Sequence, residues 1–171
     1  MITMQIRKSK LEDLDRIMEI YVFAREFMAK NGNPNQWGPT NWPPEGLIEN
    51  DIKTGNSYVC ITPEDEIIGT FFFIQGKDIE PTYAEIADGT WLDNSSYGVI
   101  HRLASDGSKK GIGSFCIKWA YEQCNHIRID THIDNIVMQK LVEKLGFIHC
   151  GTIYVEQDNY PRLAYEKSSK I

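Results

Sequence analysis

Residues 105–114, Ser-Asp-Gly-Ser-Lys-Lys-Gly-Ile-Gly-Ser, combine glycine, lysine and small polar side chains in an order that could bind an anion. An apolar run over residues 97–104 precedes them, and apolar residues at helical spacing follow over residues 112–120. A strand, a turn and a helix in this order leave backbone N–H groups free at the helix N-terminus, where they can bind an anion. Glycine lets the backbone approach a ligand closely, and Lys109 and Lys110 add positive charge. The segment therefore predicts a turn that binds phosphate or pyrophosphate.

Two common phosphate-binding loops do not fit these residues. A P-loop requires glycine, four further residues and then Gly-Lys-Ser/Thr, an order that the segment lacks. A dinucleotide-binding loop requires a third glycine, but Gly111 and Gly113 are followed by Phe115 and Cys116. A turn that uses its two glycines only for packing, without any ligand, remains the alternative at this point.

The same residues resemble the acyl-CoA loop of the Gcn5-related N-acetyltransferase (GNAT) family. That loop has the pattern Arg/Gln-x-x-Gly-x-Gly/Ala, and residues 108–113 match it except that Ser108 replaces Arg or Gln. A second segment resembles another signature of the family, because residues 130–135 lead through Asn135 into a helical pattern that ends in Leu-Gly-Phe at residues 145–147. The two signatures occur in the family's order, and the resemblance covers roughly residues 97–166.

The resemblance implies an α/β fold of the acyl-CoA N-acyltransferase type, with a mixed, mostly antiparallel central sheet flanked by helices on both faces. The chain's own hydrophobic patterns predict the order β-α-α-β-β-β-α-β-α-β-β, which agrees with that fold. Residues 9–12, Ser-Lys-Leu-Glu, predict a capping box before the first helix. Asp134 is the expected N-cap of the last helix.

The resemblance also implies acetyl-CoA as the cofactor and assigns residues to it. Strands ending at Ala104 and Thr131 should separate, so that the pantetheine arm can pair with an open strand edge. Leu103 should contact the pantetheine or the acetyl oxygen through its backbone, and Asn135 should hydrogen-bond the pantetheine region, with helix capping as its alternative role. The set expected to hold the pyrophosphate is Ser108, Lys109, Lys110, Gly111, Ile112, Gly113 and Ser114.

The implied reaction is acetyl transfer to a primary amine by direct attack in a ternary complex. A base must first take a proton from the incoming ammonium, and histidine, with an ordinary pKa of about 6.5, suits that role. The candidate catalytic residues are His101, Asp130 and His132, at the ends of the two separating strands. Their alternative roles are a hydrogen-bonded core histidine for His101, a structural partner of Arg102 or Arg128 for Asp130, and a solvated loop residue for His132. His101 and Leu103 are expected to share one strand face.

The usual acid of the family is missing from this sequence. Many members have a tyrosine four residues before the glycine of Leu-Gly-Phe, and here that position is Val142. Either the CoA thiolate leaves unaided or another group protonates it. A non-catalytic acyl-CoA-binding or regulatory domain is therefore the second functional hypothesis. A mononucleotide-binding protein is the third, but it leaves the segment from Asn135 to Phe147 unexplained.

Substrate recognition is expected from the segments outside these signatures. The candidate residues lie between the first two helices and in an aperiodic insertion at residues 77–96, where an aromatic wall with an acidic residue would suit a cationic amine. They are Phe27, Gln36, Trp37, Tyr83 and Trp91, with Glu85 as the acidic residue. The expected partner is an amine of a small molecule or peptide.

Composition limits the class of protein. The 171 residues are expected to form one domain, residues 1–171, with a substantial core, and 42% hydrophobic and 25% charged residues are typical of a soluble globular protein. A net charge of −6 argues against nucleic acid as the main partner, and no apolar run is long enough to span a membrane. The N-terminus lacks the apolar core of a signal peptide. The four cysteines do not have the spacing of a metal site, and we expect them to be reduced thiols in a cytoplasmic protein. A homodimer formed through an exposed edge strand is a possibility by analogy with the fold.

Overall fold

The computed structural model of the protein describes residues 3–155 and 160–171. Its elements confirm the predicted order of strands and helices. The strands are β1 (Gln5–Lys8), β2 (Ser57–Ile61), β3 (Ile67–Gly76), β4 (Tyr97–Ser105), β5 (His126–His132), β6 (Ile148–Tyr154) and β7 (Pro161–Ser168). The α-helices are α1 (Leu14–Lys30), α2 (Glu45–Lys53), α3 (Ile112–Cys124) and α4 (Ile136–Lys144), with short 3₁₀ turns at Leu11–Asp13, Gly38–Thr40 and Pro81–Tyr83.

The seven strands form one sheet in the order β1-β2-β3-β4-β5-β7-β6. Every neighbouring pair is antiparallel except β4 and β5, which run parallel and are connected through α3. Parallel strands need a crossover of this kind because the end of one strand and the start of the next lie at opposite ends of the sheet. The mixed, mostly antiparallel sheet predicted from the sequence is thus confirmed.

Helices cover both faces of the sheet, as the alternation of apolar residues along the strands requires. In β2, Val59 packs in the cluster with α1 and α2, whereas the next residue, Cys60, packs in the cluster with α3 and α4. The strand is apolar on both sides because both sides are buried.

A β-bulge interrupts this alternation in β4. Thr70 of β3 pairs with Ala104 and Phe72 pairs with His101, so that two residues of β4, Arg102 and Leu103, lie opposite a single residue of β3. Arg102 has φ +54°, which places it in the left-handed region that non-glycine residues rarely adopt. The expectation that His101 and Leu103 share a face by simple alternation is therefore wrong, because the extra residue turns Leu103 toward the cluster with α3 and α4.

The insertion at residues 77–96 packs on the sheet through its own small core. Tyr83 is 2% exposed and belongs to a cluster with Tyr97, Val99 and Ile153. At the end of the insertion, the backbone N–H of Leu92 donates to Glu166 Oε1 at 2.7 Å. The insertion is aperiodic in sequence but is fixed to β4, β6 and β7 in the structure.

Two predicted helix caps are corrected by the structure. The Oγ atoms of Ser9 and Ser57 share a 2.8 Å hydrogen bond, and the first turn is capped instead by Asp13, which accepts from the backbone N–H of Lys10 at 2.7 Å. The N-cap of α4 is Asn135, not Asp134, and its Oδ1 accepts from the N–H of Met138 at 3.0 Å. Asp13 thus takes the place predicted for Glu12, and Asn135 takes the place predicted for Asp134. In both cases the residue one position further along has the better position to accept from a free N–H group.

Within residues 3–155 and 160–171, no helix has the length and apolar character needed to cross a membrane. All four cysteines are free thiols, and Cys60, Cys116 and Cys150 are buried, as the apolar patterns around them indicate.

Candidate active site

The site begins where β4 and β5 separate. The two strands pair only at Gly98 with Ile127 and at Val99 with Arg128, which confirms the predicted separation toward their C-terminal ends. Gly98 allows the close approach at the start, because a Cβ there would lie 2.7 to 2.9 Å from Phe73, Ile127 and Cys124. Beyond the paired residues a cavity of about 310 Å³ is lined by both strands, with Ile100, His101, Arg102 and Leu103 from β4 and Ile129, Asp130 and Thr131 from β5.

The glycine- and lysine-rich turn lies after β4 and ends at the N-terminus of α3. Gly111 is the N-cap of the helix with φ +82°, a conformation that glycine adopts without strain. The N–H groups of the first helical turn have no carbonyl partner within the helix and are available to an anion. In the turn itself, Asp106 accepts from the N–H of Ser108 at 2.9 Å and pairs with Arg16 at 2.8 Å. The ion pair with Arg16 compensates the one acidic charge in the turn.

His101 lies in the cavity wall between two carboxylates. Its Nε2 is 2.6 Å from Oε2 of Glu80, and its Nδ1 is 3.9 Å from Oδ2 of Asp130. The imidazole stacks on Phe72 with 5.8 Å between ring centroids, and the edge of Tyr83 packs against it at 6.1 Å. These contacts fix the ring plane, so that each nitrogen faces one acidic residue.

Glu80 comes from the insertion and is fixed through both of its oxygens. The backbone N–H and the hydroxyl of Thr82 donate to Oε1 at 3.2 and 2.8 Å, while Oε2 faces His101. Burial alone would raise the pKa of Glu80, but the hydrogen bonds and charge of His101 together with the bonds from Thr82 outweigh burial and lower that pKa to about 2. Glu80 is therefore an ionised carboxylate at neutral pH.

Asp130 is held by a tyrosine of the same insertion. The hydroxyl of Tyr83 donates to Asp130 Oδ2 at 2.6 Å, and Nε of Arg162 lies 4.0 Å from Oδ1. Burial and the neighbouring Asp130 charge raise the pKa of Tyr83 well above its ordinary value, so the phenol remains a donor. Arg102 and Arg128, the expected structural partners of Asp130, pair instead with Asp51 and Glu166.

Of the residues expected to recognise the substrate, Gln36 and Trp37 line the cavity. Gln36 Oε1 accepts from Nδ2 of Asn135 at 2.9 Å, which connects the segment after α1 to the start of α4. Asn135 lines the cavity and also caps α4, which confirms its expected capping role; its hydrogen bond to the pantetheine region stays a prediction.

Several other predicted site residues lie outside the cavity lining. His132 is buried, not solvated, and its Nδ1 accepts from the N–H of Asp134 at 3.0 Å. Phe27 is 43% exposed on the outer surface of α1. Tyr83 contacts the site from outside the lining, through its hydroxyl bond to Asp130 and its ring edge against His101. Trp91 packs over the guanidinium of Arg128 at 4.4 Å. Both aromatic residues of the insertion thus pack behind the residues that line the cavity.

Sequence reasoning missed Glu80 and the bulge at Arg102. The acidic residue expected to act within the insertion, Glu85, is exposed and lies outside the lining, because an aperiodic segment gives no signal for which side chain turns inward. The bulge gives no signal either, since its positive φ falls on an arginine and not on a glycine. Arg102 is held there by Asp51, at 2.8 and 3.0 Å, and by the Tyr21 hydroxyl, which donates to its carbonyl at 2.7 Å.

The structure resembles solved acetyltransferase structures over nearly its whole length. A GNAT-family acetyltransferase from Streptococcus agalactiae is 31% identical, with 97% of this chain and 95% of that chain covered and a TM-score of 0.86. A GNAT-family acetyltransferase from Listeria monocytogenes is 16% identical, with 96% and 94% covered and a TM-score of 0.69. NAA60 from Arabidopsis thaliana, solved in complex with acetyl-CoA, is 14% identical, with 99% and 100% covered and a TM-score of 0.68. No family model and no curated protein matches the sequence.

Proposed function

Because the chain belongs to the Gcn5-related N-acetyltransferase family, we propose that it transfers the acetyl group of acetyl-CoA to a primary amine of a small molecule or peptide. The observation that carries this proposal is the cavity between the separated strands β4 and β5, which has a histidine and an aspartate in its wall. Transfer is direct, within a ternary complex of protein, acetyl-CoA and amine.

The residues of the turn and of the two strands fit acetyl-CoA as donor. The free N–H groups at the start of α3, with Lys109 and Lys110 nearby in sequence, suit a pyrophosphate. The separated edges of β4 and β5 offer backbone groups to the amides of a pantetheine arm, and Asn135 lies at the same cavity. NAA60, which has the same fold, was solved with acetyl-CoA. When bound, acetyl-CoA supplies an activated thioester carbonyl, and Leu103 at the bulge is the proposed backbone contact to it.

The acceptor amine binds at the acidic end of the cavity. Asp130 attracts the ammonium, and His101 takes its proton, because only the free amine is a nucleophile. Nδ1 of His101 and Oδ2 of Asp130 lie 3.9 Å apart. An amine nitrogen that lies beside this gap, not in line with it, can be about 2.9 Å from both atoms. Gln36 and Trp37 form the wall on the side of α1.

The proposal includes no tyrosine acid at the usual position. Val142 of α4 is fully buried in the core cluster that includes residues of α3. Its apolar side chain offers no proton. A CoA thiolate is a fair leaving group and departs without one. The observation that favours the second candidate function, an acyl-CoA-binding domain without turnover, is this same missing acid.

The test is thiol release from acetyl-CoA against a panel of amines, amino acids, polyamines and peptide N-termini, with thermal denaturation run in parallel. We expect amine-dependent thiol release and a higher Tm with acetyl-CoA. A higher Tm without thiol release for any acceptor would favour the binding domain. No change in Tm would contradict the assignment of residues 108–114 to the pyrophosphate.

A further inference from the structure

One short turn of the insertion reaches both candidate catalytic side chains. Residues 80–83 place Glu80 against His101 at 2.6 Å and the hydroxyl of Tyr83 against Asp130, also at 2.6 Å. The two carboxylates and the imidazole thus form a continuous row, Glu80, His101, Asp130, that ends on Tyr83. Glu80 and Tyr83 belong to the insertion, which lies outside the sheet. The row is therefore not a consequence of the separation of β4 and β5.

The contacts of Glu80 determine which nitrogen of His101 carries a proton. An ionised carboxylate can only accept hydrogen bonds. Oε1 already accepts from Thr82, and Oε2 lies 2.6 Å from Nε2 of His101. Nε2 must therefore be the protonated nitrogen, and in the neutral imidazole the lone pair is on Nδ1. Nδ1 is the nitrogen that faces Asp130.

We propose that Glu80 is a positioning residue that holds His101 as the Nε2–H tautomer, which makes Nδ1 the atom that accepts the proton of the acceptor amine. The inference rests on the proposed function, in which His101 is the base. In that step the N–H bond of the ammonium breaks and an Nδ1–H bond forms. The resulting imidazolium lies between Glu80 and Asp130, and their negative charges stabilise it.

The turn is fixed well enough to maintain this arrangement. The indole N–H of Trp91 donates to the carbonyl of Tyr83 at 2.9 Å, and the ring of Tyr83 is buried against Tyr97 and Val99. Phe72 stacks on one face of the His101 ring and fixes its plane, while the 2.6 Å contact to Glu80 holds Nε2 on the side of the insertion. A side chain held by its neighbours in this way is pre-organised for proton transfer.

The tautomer can be measured without any turnover. Long-range ¹H–¹⁵N spectra of uniformly labelled protein at neutral pH distinguish protonated from unprotonated ring nitrogens, and the His101→Asn variant assigns the signal of His101 among the four histidines. We expect Nε2 to be protonated and Nδ1 unprotonated in the wild type. In Glu80→Ala we expect both shifts to move toward the average of the two tautomers, whereas Glu80→Asp should move them less. The matched control is Glu64→Ala, since Glu64 is an exposed glutamate in the β2–β3 turn.

Kinetics give the second readout. Glu80→Ala should lower kcat by roughly tenfold to a hundredfold, as expected for loss of part of a general-base contribution. KM for acetyl-CoA should stay within about twofold of the wild-type value. Glu80→Asp should recover part of the loss in kcat. A protonated Nδ1 in the wild type, or unchanged shifts and unchanged kcat in Glu80→Ala, would overturn the inference while leaving acetyl transfer intact. The Nε2–H tautomer in a protein that acetylates no amine would instead contradict the proposed function, and with it the role of Nδ1 in proton transfer.

Discussion

At His101 the two ring nitrogens have different neighbours, and this difference gives the residue its proposed role. Nε2 contacts the ionised Glu80, whereas Nδ1 faces Asp130 across a 3.9 Å gap. A buried histidine with both nitrogens engaged, such as His126 between Ser96 and Glu166, has no nitrogen left for a substrate. The chemistry of the site therefore depends on which contacts each nitrogen makes.

The first prediction concerns the base. Replacing His101 by Asn removes the only histidine of the cavity wall in the described part of the chain, and kcat for amine acetylation should fall by about 10²- to 10⁴-fold. The matched control is His149→Asn, because His149 lies on β6 and its contact is to the carbonyl of Gly151. An equal loss in both variants, measured by thiol release, would show that the effect is not specific to the site.

The second prediction concerns Asp130. The Asp130→Asn variant loses the charge that attracts the ammonium, so KM for the acceptor should rise by roughly 10- to 100-fold, the equivalent of a charge-assisted hydrogen bond. KM for acetyl-CoA should change little. Asp15→Asn on the exposed side of α1 is the control. Steady-state kinetics with each substrate varied in turn separate the two constants, and a rise confined to acetyl-CoA would place Asp130 on the donor side instead.

Among the elements, the glycine turn before α3 and the turn at residues 80–83 differ in how much of them the sequence predicts. The first can be predicted in place, because glycine, lysine and helical periodicity each leave a local signal. The second leaves none, since Glu80 and Tyr83 matter through contacts with His101 of β4 and Asp130 of β5, which lie 21 and 47 positions away in the chain. The order of strands and helices could be predicted because it leaves such local signals, whereas the strand separation is implied by the resemblance to the acetyltransferase family. Glu80 and the bulge at Arg102 could not, because tertiary contacts determine them.

The third prediction tests the glycine turn. Gly111 has φ +82°, and no atom lies within 4 Å of the position that a Cβ would occupy, so Gly111→Ala is penalised by backbone strain and not by a clash. We expect a loss of about 1 kcal/mol in the free energy of unfolding and a several-fold higher KM for acetyl-CoA, because the start of α3 shifts. Gly46→Ala in α2, where φ is ordinary and space is also open, is the control. Unchanged KM in Gly111→Ala would argue against a pyrophosphate at this turn.

The fourth prediction concerns the turn at residues 80–83. The pKa of Glu80 is lowered in the folded protein to about 2 from its ordinary value of 4.5. A lowered pKa stabilises the fold above the ordinary value, and that contribution disappears as the pH falls from about 4.5 toward 2. The wild type should therefore be more stable than Glu80→Gln at pH 7, and the difference should shrink over this acidic range. Urea denaturation of both proteins at each pH measures it; a constant difference would contradict the ionised state of Glu80.

For the molecule as a whole, the insertion connects the site to a buried polar cluster at the N-terminal end of β5. His126 Nε2 and Arg128 Nε lie 2.7 and 3.0 Å from Glu166 Oε2, and Glu166 Oε1 accepts from the N–H of Leu92 at the end of the insertion. Buried charges paired in this way hold the segment in one position at the expense of desolvation. The sheet, the crossover helix α3 and the insertion thus each supply one part of the candidate site: the cavity, the proposed anion-binding turn and the side chains that contact His101 and Asp130.

The measurement that tests the central claim most directly is the mass of the product. The wild-type protein is incubated with acetyl-CoA deuterated in its acetyl group and with the amine panel, and each amine is analysed by mass spectrometry. Our account predicts that at least one primary amine gains the deuterated acetyl group on nitrogen, and that His101→Asn abolishes most of this gain. If acetyl-CoA raises the Tm of the protein but no amine gains the label, the protein binds the donor without transferring it, and the account is contradicted.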